Sequence, residues 1–216
     1  MDEPADSIEF RRLLSSADLV PGVVDALVKF RELVVDENSR QNLTRLLSPK
    51  DFFEGHFLDT IELLASRMID YPAMDLGSGV GVPGVIAAIL TSEQWILCES
   101  EKKKADFLLR VVDEIGLESQ VVVFSGRGEE YLKDNHVSSV VARAVGPVGR
   151  IYQWIRSCST WNNLILLKGR GWATEYEEFC ETSFSKELKI VSNQHQYLVG
   201  TENKERIIIK LERSRK

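Results

Sequence analysis

The sequence is poor in the residues that build metal sites and disulfide frameworks. Its 216 residues include three widely separated cysteines, Cys98, Cys158 and Cys180, and three scattered histidines. No Cys-x-x-Cys pair occurs, so neither a metal site nor a disulfide framework is predicted. No apolar run approaches the roughly eighteen residues of a membrane span, and the acidic N-terminus lacks the basic and apolar regions of a signal peptide. We therefore expect a cytoplasmic monomer with no membrane or metal partner.

Positive charge is scarce in the first third of the chain. Residues 1–73 carry 14 acidic and 8 basic side chains, whereas residues 74–216 carry 19 of each, so the whole net charge of −6 belongs to the first segment. Avid, nonspecific binding of nucleic acid requires many phosphate contacts from Lys and Arg. The charge distribution disfavours such binding and leaves room for a nucleic-acid substrate only at local basic clusters.

The N-terminal segment, residues 1–70, is predicted to be a helical extension. Apolar residues recur at helical spacing over 22–36. The sequence Ser-Pro-Lys-Asp at 48–51 supplies a capping residue, a first-turn proline and an acid near the positive end of a second helix.

From residue 72 onwards short apolar runs alternate with helical stretches, a pattern typical of buried parallel strands in βαβ units. The runs are 73–76, 95–100, 121–124, 137–142 and 164–167. Two further strands, near 188–199 and 206–212, are predicted to form an antiparallel hairpin around Gly-Thr-Glu-Asn. The fold class is therefore α/β, with a Rossmann-like domain over 71–216.

The stretch MDLGSGVGVPGVIAAIL, residues 74–90, places four glycines in eight positions between an apolar run and a helix. Glycine permits positive φ and close approach of a ligand to the backbone. The free N–H groups and positive dipole at the following helix start suit an anion or a polar ligand. This pattern predicts a ligand-binding loop.

Three interpretations of this loop are open. Gly79-x-Gly81-x-x-Gly84 fits a dinucleotide fingerprint, with Glu99 about twenty residues further on to hold a ribose hydroxyl. Asp75, two residues before the first glycine, instead makes the segment similar to motif I of the class I S-adenosylmethionine methyltransferases. A glycine-rich turn without a ligand is the third possibility. We favour the methyl donor.

The ends of the predicted strands carry the other candidate residues. In an open α/β sheet ligands bind outside the carboxyl ends of the strands. Glu99 ends the second strand, Gly128 and Glu129 follow the third, and Arg143 follows the fourth. We expect these residues to converge with the glycine loop at one edge of the sheet.

From about residue 42 to its end, the chain resembles the bacterial small-subunit ribosomal RNA guanine-N7 methyltransferases, the methyltransferase G family also called glucose-inhibited division protein B. The resemblance is carried by ordered segments at matching separations. They are NLT (42–44), HFLDT (56–60), DLGSGVGVPG (75–84), ESEKKKADFL (99–108), GRGEEY (126–131), ARA (142–144) and LLKG (166–169).

The resemblance implies S-adenosyl-L-methionine as cofactor and 16S ribosomal RNA, or the small ribosomal subunit, as partner. It implies that Glu99 holds the ribose hydroxyls and that Asp75 orients the methionine end. Lys103, Arg143 and Lys168 are expected on the RNA side or the rim of the active site, with Arg143 and Lys168 as the catalytic residues. The predicted cofactor-binding set is Asp75, Gly77, Gly79, Gly81, Val82, Glu99, Gly128, Glu129 and Arg143.

One departure from the family concerns the segment DENSRQ, residues 36–41. Glu37 stands where the family usually has Trp, and Ser39 stands at a position that is often basic. The donor loop is unaffected by this change. It leaves recognition of the same RNA target less secure than recognition of the donor.

The sequence contains neither an Asp-Pro-Pro-Tyr-like segment nor a Pro-Cys nucleophile after the fourth strand. Guanine N7 needs neither, because its ring lone pair is already nucleophilic and a sulfonium is a good leaving group. Alignment of the reactants and exclusion of water are then the main requirements. We predict methylation of N7 of a guanine in 16S rRNA. A small-molecule or protein methyltransferase with the same donor site, and a non-catalytic donor-binding module, are the alternatives.

Overall fold

A computed structural model describes residues 3–190, 194–200 and 203–213. The N-terminal part is helical, as predicted. Ser48 caps the helix that begins at Pro49, because its side chain accepts the Asp51 N–H at 3.1 Å, as the capping pattern predicts. The elements are α1 (Ala5–Leu14), α2 (Pro21–Gln41), α3 (Pro49–Phe52), a π-helical turn (Phe53–Phe57) and α4 (Leu58–Ala65).

The remaining chain forms one mixed sheet with flanking helices. The strands are β1 (Ala73–Leu76), β2 (Trp95–Glu99), β3 (Val121–Ser125), β4 (Val137–Arg143), β5 (Trp161–Lys168), β6 (Leu188–Ile190), β7 (His195–Val199) and β8 (Lys204–Arg213). The helices are α5 (Gly84–Leu90), α6 (Lys102–Ile115), α7 (Gly128–Asp134), α8 (Val148–Ile155) and α9 (Trp172–Cys180). The strand order is β3-β2-β1-β4-β5-β8-β6, and β7 pairs with β8.

The predicted α/β class is confirmed: β1 to β5 are parallel, and β8 runs antiparallel to β5. Two strand predictions need correction. Strand β5 begins at Trp161, three residues before the predicted run. The prediction missed this start because the polar Asn162 and Asn163 interrupt the apolar pattern. The predicted strand 188–199 comprises two strands that pair with different halves of β8, and residues 191–193 lie outside the described chain.

The sheet is covered on both faces, since successive side chains of each strand point to opposite sides. One face, which includes Leu97, Val141 and Ile165, shares a core with α5, α6 and the N-terminal helices. The other, which includes Met74 and Val140, packs against α7, α8 and α9. The helical extension thus contributes to the main core, and the division at residue 70 stays a prediction.

None of the helices within the described residues combines the length and apolar character that crossing a bilayer needs. Nor do His, Cys, Asp and Glu side chains gather there in threes or more where they could hold a metal ion.

Candidate functional site

The glycine loop joins β1 to α5 at the carboxyl edge of the sheet. Gly77, Gly79 and Gly81 have φ angles of +72°, +55° and +93°, which side chains rarely adopt. The Gly77 N–H donates to the Cys98 carbonyl on β2 at 2.8 Å, and the Gly81 N–H donates to the Ser78 carbonyl at 2.7 Å. These hydrogen bonds fix the loop against the end of the neighbouring strand.

The four glycines are not equivalent. A Cβ atom on Gly84 would lie 2.3 Å from Leu97 Cδ2, and one on Gly81 would lie 2.7 Å from Val85 Cγ2. A Cβ atom on Gly77 would lie 3.1 Å from Val145 Cγ2. At Gly79 the nearest atom would be the Gly77 carbonyl oxygen at 3.8 Å. Three glycines therefore accommodate protein packing, and Gly79 faces space that the protein leaves open.

Glu99, at the end of β2, holds the loop directly. Its Oε2 accepts the Gly79 N–H at 2.9 Å, and its Oε1 accepts the Glu101 N–H at 2.8 Å. The side chain is 8% exposed. A carboxylate has about four lone-pair positions, so two remain for hydroxyl groups of a ligand.

Asp75 lies behind the loop and supports it. Its Oδ2 accepts the Gly84 N–H at 3.0 Å in the first turn of α5, where a carboxylate is favoured by the helix dipole. The residue is 1% exposed. Burial raises the pKa of Asp75 to about 7, and the Gly84 N–H and the charge of Arg143 oppose that shift. Its predicted contact with the methionine end of a donor stays a prediction.

The start of α7 lies beside the loop. A Cβ atom on Gly128 would meet Leu76 Cδ1 at 2.3 Å, so only glycine lets α7 approach β1 this closely. The half-buried Glu129 follows in the first turn of α7. Val82 is 6% exposed and packs into the core, so only its backbone is available to a ligand. The predicted roles of these three residues toward the donor stay predictions.

Arg143, at the end of β4, is bound to the helical extension. Its Nε lies 3.3 Å from Asp59 Oδ2, its Nη1 lies 3.1 Å from His56 Nδ1, and its Nη2 donates to the Gly55 carbonyl. Asp59 in turn accepts the Tyr197 hydroxyl from β7 at 3.0 Å. The guanidinium has five N–H groups, so two remain for a donor or a substrate.

His56 is a neutral member of this network. Arg143 Nη1 and the Gly55 carbonyl oxygen both lie 3.1 Å from His56 Nδ1, and Thr44 Oγ1 lies 3.1 Å from Nε2. Because Arg143 can only donate, we assign the proton to Nε2, so that Nδ1 accepts from Arg143 and Nε2 donates to Thr44. Burial, and secondly the charge of Arg143, lower the pKa of His56 to about 3. A protonated His56 would place a second buried cation beside Arg143, so the network requires the neutral ring.

Lys168, at the end of β5, holds the segment that follows β4. Its Nζ donates to the Gly146 carbonyl at 2.6 Å and pairs with Glu175 Oε2 at 2.7 Å. In the same segment Ala144 adopts φ +57°, a conformation that costs a side-chain-bearing residue roughly 1–2 kcal/mol. Its neighbour Val145 packs on Gly77. Lys168 thus positions a strained segment beside the glycine loop, and a direct contact with substrate stays a prediction.

The DENSRQ segment has a structural function at the end of α2. Glu37 Oε2 accepts Arg110 Nη2 of α6 at 2.6 Å, and Gln41 Nε2 donates to the Lys103 carbonyl at 3.1 Å. Glu37 therefore joins α2 to the middle of α6, and Gln41 joins it to the lysine-rich start of α6.

The sequence predicted that Glu99 meets the glycine loop at the edge of the sheet, and it missed most of the Arg143 network. The contributions of His56, Asp59 and Tyr197 were not predicted. A signal was present, because His56, Asp59 and Thr60 are polar residues within an otherwise apolar helical pattern, and all three are buried. Their partners could not be identified from that pattern.

Comparison with known proteins identifies a family that this chain matches. Residues 24–208 match the family model described as rRNA small subunit methyltransferase G. A Mesoplasma florum protein named ribosomal RNA small subunit methyltransferase G is 31% identical over 190 residues, covering 86% of this chain and 79% of that protein. A protein of the same name from Fusobacterium nucleatum is 40% identical over 111 residues, and the match spans 47% of its length.

Solved structures share the fold at low sequence identity. An O-methyltransferase from Bacillus cereus in complex with SAH has a TM-score of 0.54 and 14% identity, covering 86% of this chain and 91% of that one. M. capricolum TrmK in complex with S-adenosyl-homocysteine has a TM-score of 0.53 and 14% identity, covering 72% and 68%.

Proposed function

The chain belongs to the rRNA small subunit methyltransferase G family, and from this premise we propose that it transfers a methyl group from S-adenosyl-L-methionine to N7 of a guanine in 16S rRNA. The family match supports the acceptor, and the structural observation that supports the donor is the open space beside Gly79. Gly79 is the one glycine of the family loop with open space beside it, and the carboxylate of Glu99 accepts its N–H.

The residues at the carboxyl edge fit this donor. Glu99 is nearly buried and keeps lone pairs for two ribose hydroxyls, while the open space at Gly79 allows a ligand to approach the backbone. The backbone around this space is supplied by Gly77, Gly81, Val82 and Gly128. Glu129 supplies a second carboxylate. Asp75 supports the loop from inside the protein.

The chemistry asks the protein for alignment. S-adenosyl-L-methionine supplies an electrophilic methyl group, and guanine N7 supplies a lone pair without prior deprotonation. The chain must hold N7, the methyl carbon and the sulfur in line and exclude water. Arg143 and Lys168 serve this purpose by fixing the rim of the site, where Arg143 keeps two N–H groups for the donor or the guanine.

The partner is 16S rRNA or the small ribosomal subunit that contains it. We further propose that the protein works in the cytoplasm as a monomer, without a metal ion and without a membrane. The reaction needs no metal, because the sulfonium is already activated.

Transfer of the radiolabelled methyl group from the donor tests this proposal. We expect label in 16S rRNA when small ribosomal subunits from cells lacking the gene are the acceptor, and N7-methylguanosine on digestion. Subunits from cells that carry the gene are the matched control and accept little label, because the guanine is already methylated. Transfer to small metabolites or proteins with no label in rRNA would overturn the proposal.

A further inference from the structure

A cavity lies beside the end of β5, next to Lys168 at the rim of the proposed active site. It has a volume of about 370 Å³ and lies between the segment after β5 and the β7–β8 pair. Its lining includes Gly169, Arg170, Trp172, Tyr197, Glu205 and Arg206. The volume falls within the range of sites for small ligands.

The cavity is continuous with the Arg143 network. Lys168 and Ile207 form the last pair between the antiparallel strands β5 and β8. Just beyond this pair, Gly169 follows Lys168 in the chain and Arg206 precedes Ile207. A Cβ atom on Gly169 would lie 3.5 Å from Arg206 Nη1. Tyr197 pairs with Arg206 across the β7–β8 ladder and donates its hydroxyl to Asp59, the partner of Arg143. Tyr197 and Asp59 therefore connect the cavity to Arg143.

Two cationic side chains line the cavity. Among the described residues, Arg206 makes one hydrogen bond, from Nη1 to the Glu205 carbonyl at 3.3 Å, and no ion pair. Arg170 pairs with Glu205 at 3.5 Å, but their side chains are 75% and 67% exposed. Exposed pairs of this kind contribute little and exchange partners easily. The cavity therefore offers guanidinium groups to an anion.

An aromatic side chain completes the set. The half-buried Trp172 begins α9, and its ring lies 6.2 Å from the ring of Tyr176. Arginine beside an aromatic residue is the combination that binds single-stranded nucleic acid, because each base has a face to stack and each nucleotide carries a phosphate. A small-molecule acceptor needs one pocket, whereas a polynucleotide extends into a second.

We infer that this cavity binds a nucleotide of the substrate RNA that flanks the methylated guanine. Trp172 stacks on its base, and Arg206, with Arg170, binds its phosphate. The inference rests on the proposed function and assigns to that site a second subsite for single-stranded RNA.

The test measures single-turnover methyl transfer to small ribosomal subunits, together with filter binding of protein-free 16S rRNA. Trp172→Ala should raise the subunit concentration for half-maximal rate about tenfold, the usual loss for one stacked base, at an unchanged rate at saturation. Trp172→Phe should restore most of the affinity, and donor binding by calorimetry should be unchanged in both.

Charge variants of opposite expected sign exclude a merely structural effect. Arg206→Gln should weaken RNA binding and reduce the slope of log affinity against log salt by about 1. Glu205→Gln should strengthen RNA binding by roughly threefold, because it frees Arg170 from a weak surface pair. Arg12→Gln removes the same charge from α1, away from the cavity, and should change the salt slope little.

The outcomes separate this inference from the function on which it rests. Absence of transfer to rRNA by the unmodified protein would overturn the proposed function and the subsite together. Transfer by the unmodified protein, with Trp172→Ala and Arg206→Gln unchanged in half-saturation, would overturn the subsite alone. Weaker transfer to subunits by these variants, at unchanged binding of protein-free rRNA, would assign the cavity to a ribosomal protein instead.

Discussion

Two sides of the carboxyl edge are held together in different ways: the glycine-loop side, where we propose that the donor binds and which we call the donor side, and the Arg143 side. On the donor side, Gly79 and Gly84 donate backbone N–H groups to Glu99 and Asp75, within a segment of 25 residues. On the other side, Arg143 is bound by side chains and a carbonyl that lie more than 80 residues away in sequence. The first is a local backbone structure, and the second is an assembly of distant segments.

Because of this difference, we expect the two sides to respond differently to amino-acid substitution. Backbone hydrogen bonds from a strand and a loop persist when surface residues vary. In the buried network of Arg143, Asp59 and His56, a lost side chain leaves its partner without a replacement contact. Removing one partner of a buried ion pair costs about 3–5 kcal/mol. We therefore expect donor binding to depend on the glycine loop, and methyl transfer to depend on the helical extension as well.

The largest expected effect is loss of donor binding on replacing Gly79. Gly79→Val places a branched side chain in the open space where we propose that the donor binds, so binding of S-adenosyl-L-methionine by calorimetry should fall below detection. Gly116→Val is the matched control, because Gly116 also has positive φ, at +78°, and a Cβ there would meet no atom within 4 Å, against 3.8 Å to the nearest atom at Gly79. Both variants carry a similar backbone strain.

Equal donor binding by Gly79→Val and Gly116→Val would contradict the donor assignment of the loop. Thermal unfolding of both variants supplies the second measurement, since similar melting temperatures exclude loss of the fold as the cause.

A smaller effect is expected on the Arg143 side. Arg143→Lys keeps the charge, but one ammonium cannot reach Asp59, His56 and the Gly55 carbonyl together. We expect single-turnover transfer to fall on the order of a hundredfold, as for a misplaced reactant. Arg150→Lys, on the exposed side of α8, is the control and should be nearly silent.

Donor affinity decides how Arg143 acts. An unchanged donor affinity with slow transfer would mean that Arg143 positions the substrate side. Equal transfer rates for Arg143→Lys and Arg150→Lys would mean that the reacting base is held by other residues.

The smallest expected effect is a pH dependence of stability from His56, opposite in sign to that of Asp75, whose pKa burial raises to about 7. The pKa of His56 is about 3 in the folded protein, against 6.5 as its ordinary value. The unfolded chain therefore takes up a proton first, and this contribution to stability is lost as pH falls below 6.5. Between pH 7 and pH 5 the free energy of unfolding should decrease by ~2 kcal/mol from this residue.

Urea unfolding of the unmodified protein and of the His56→Gln variant at both pH values measures this contribution to the free energy of unfolding. Glutamine can accept from Arg143 and donate to Thr44, and it does not titrate. Between pH 7 and pH 5 the free energy of unfolding of the unmodified protein should fall by ~2 kcal/mol relative to that of the variant, a comparison that cancels the opposite contribution of Asp75. An equal change in both proteins would exclude His56 as the source.

Much of the fold was predictable because its signals are periodic. The runs at 73–76, 95–100 and 121–124 predicted strands to within one residue of their ends, since buried parallel strands have continuous apolar sequences. The start of β5 was missed because Asn162 and Asn163 interrupt that pattern. The C-terminal prediction of one long strand was wrong because β6 and β7 pair with separate halves of β8.

The sequence by itself determined the fold class, the glycine loop and the resemblance to a methyltransferase family. These depend on consecutive residues, because a positive φ favours glycine and a motif is a local spacing. Tertiary structure alone decided that Arg143 meets His56, Asp59 and, through Asp59, Tyr197, and that Arg206 lies beside Gly169. Such contacts depend on how the helical extension and β7–β8 pack on the sheet, because a side chain's partners are set by distance in space.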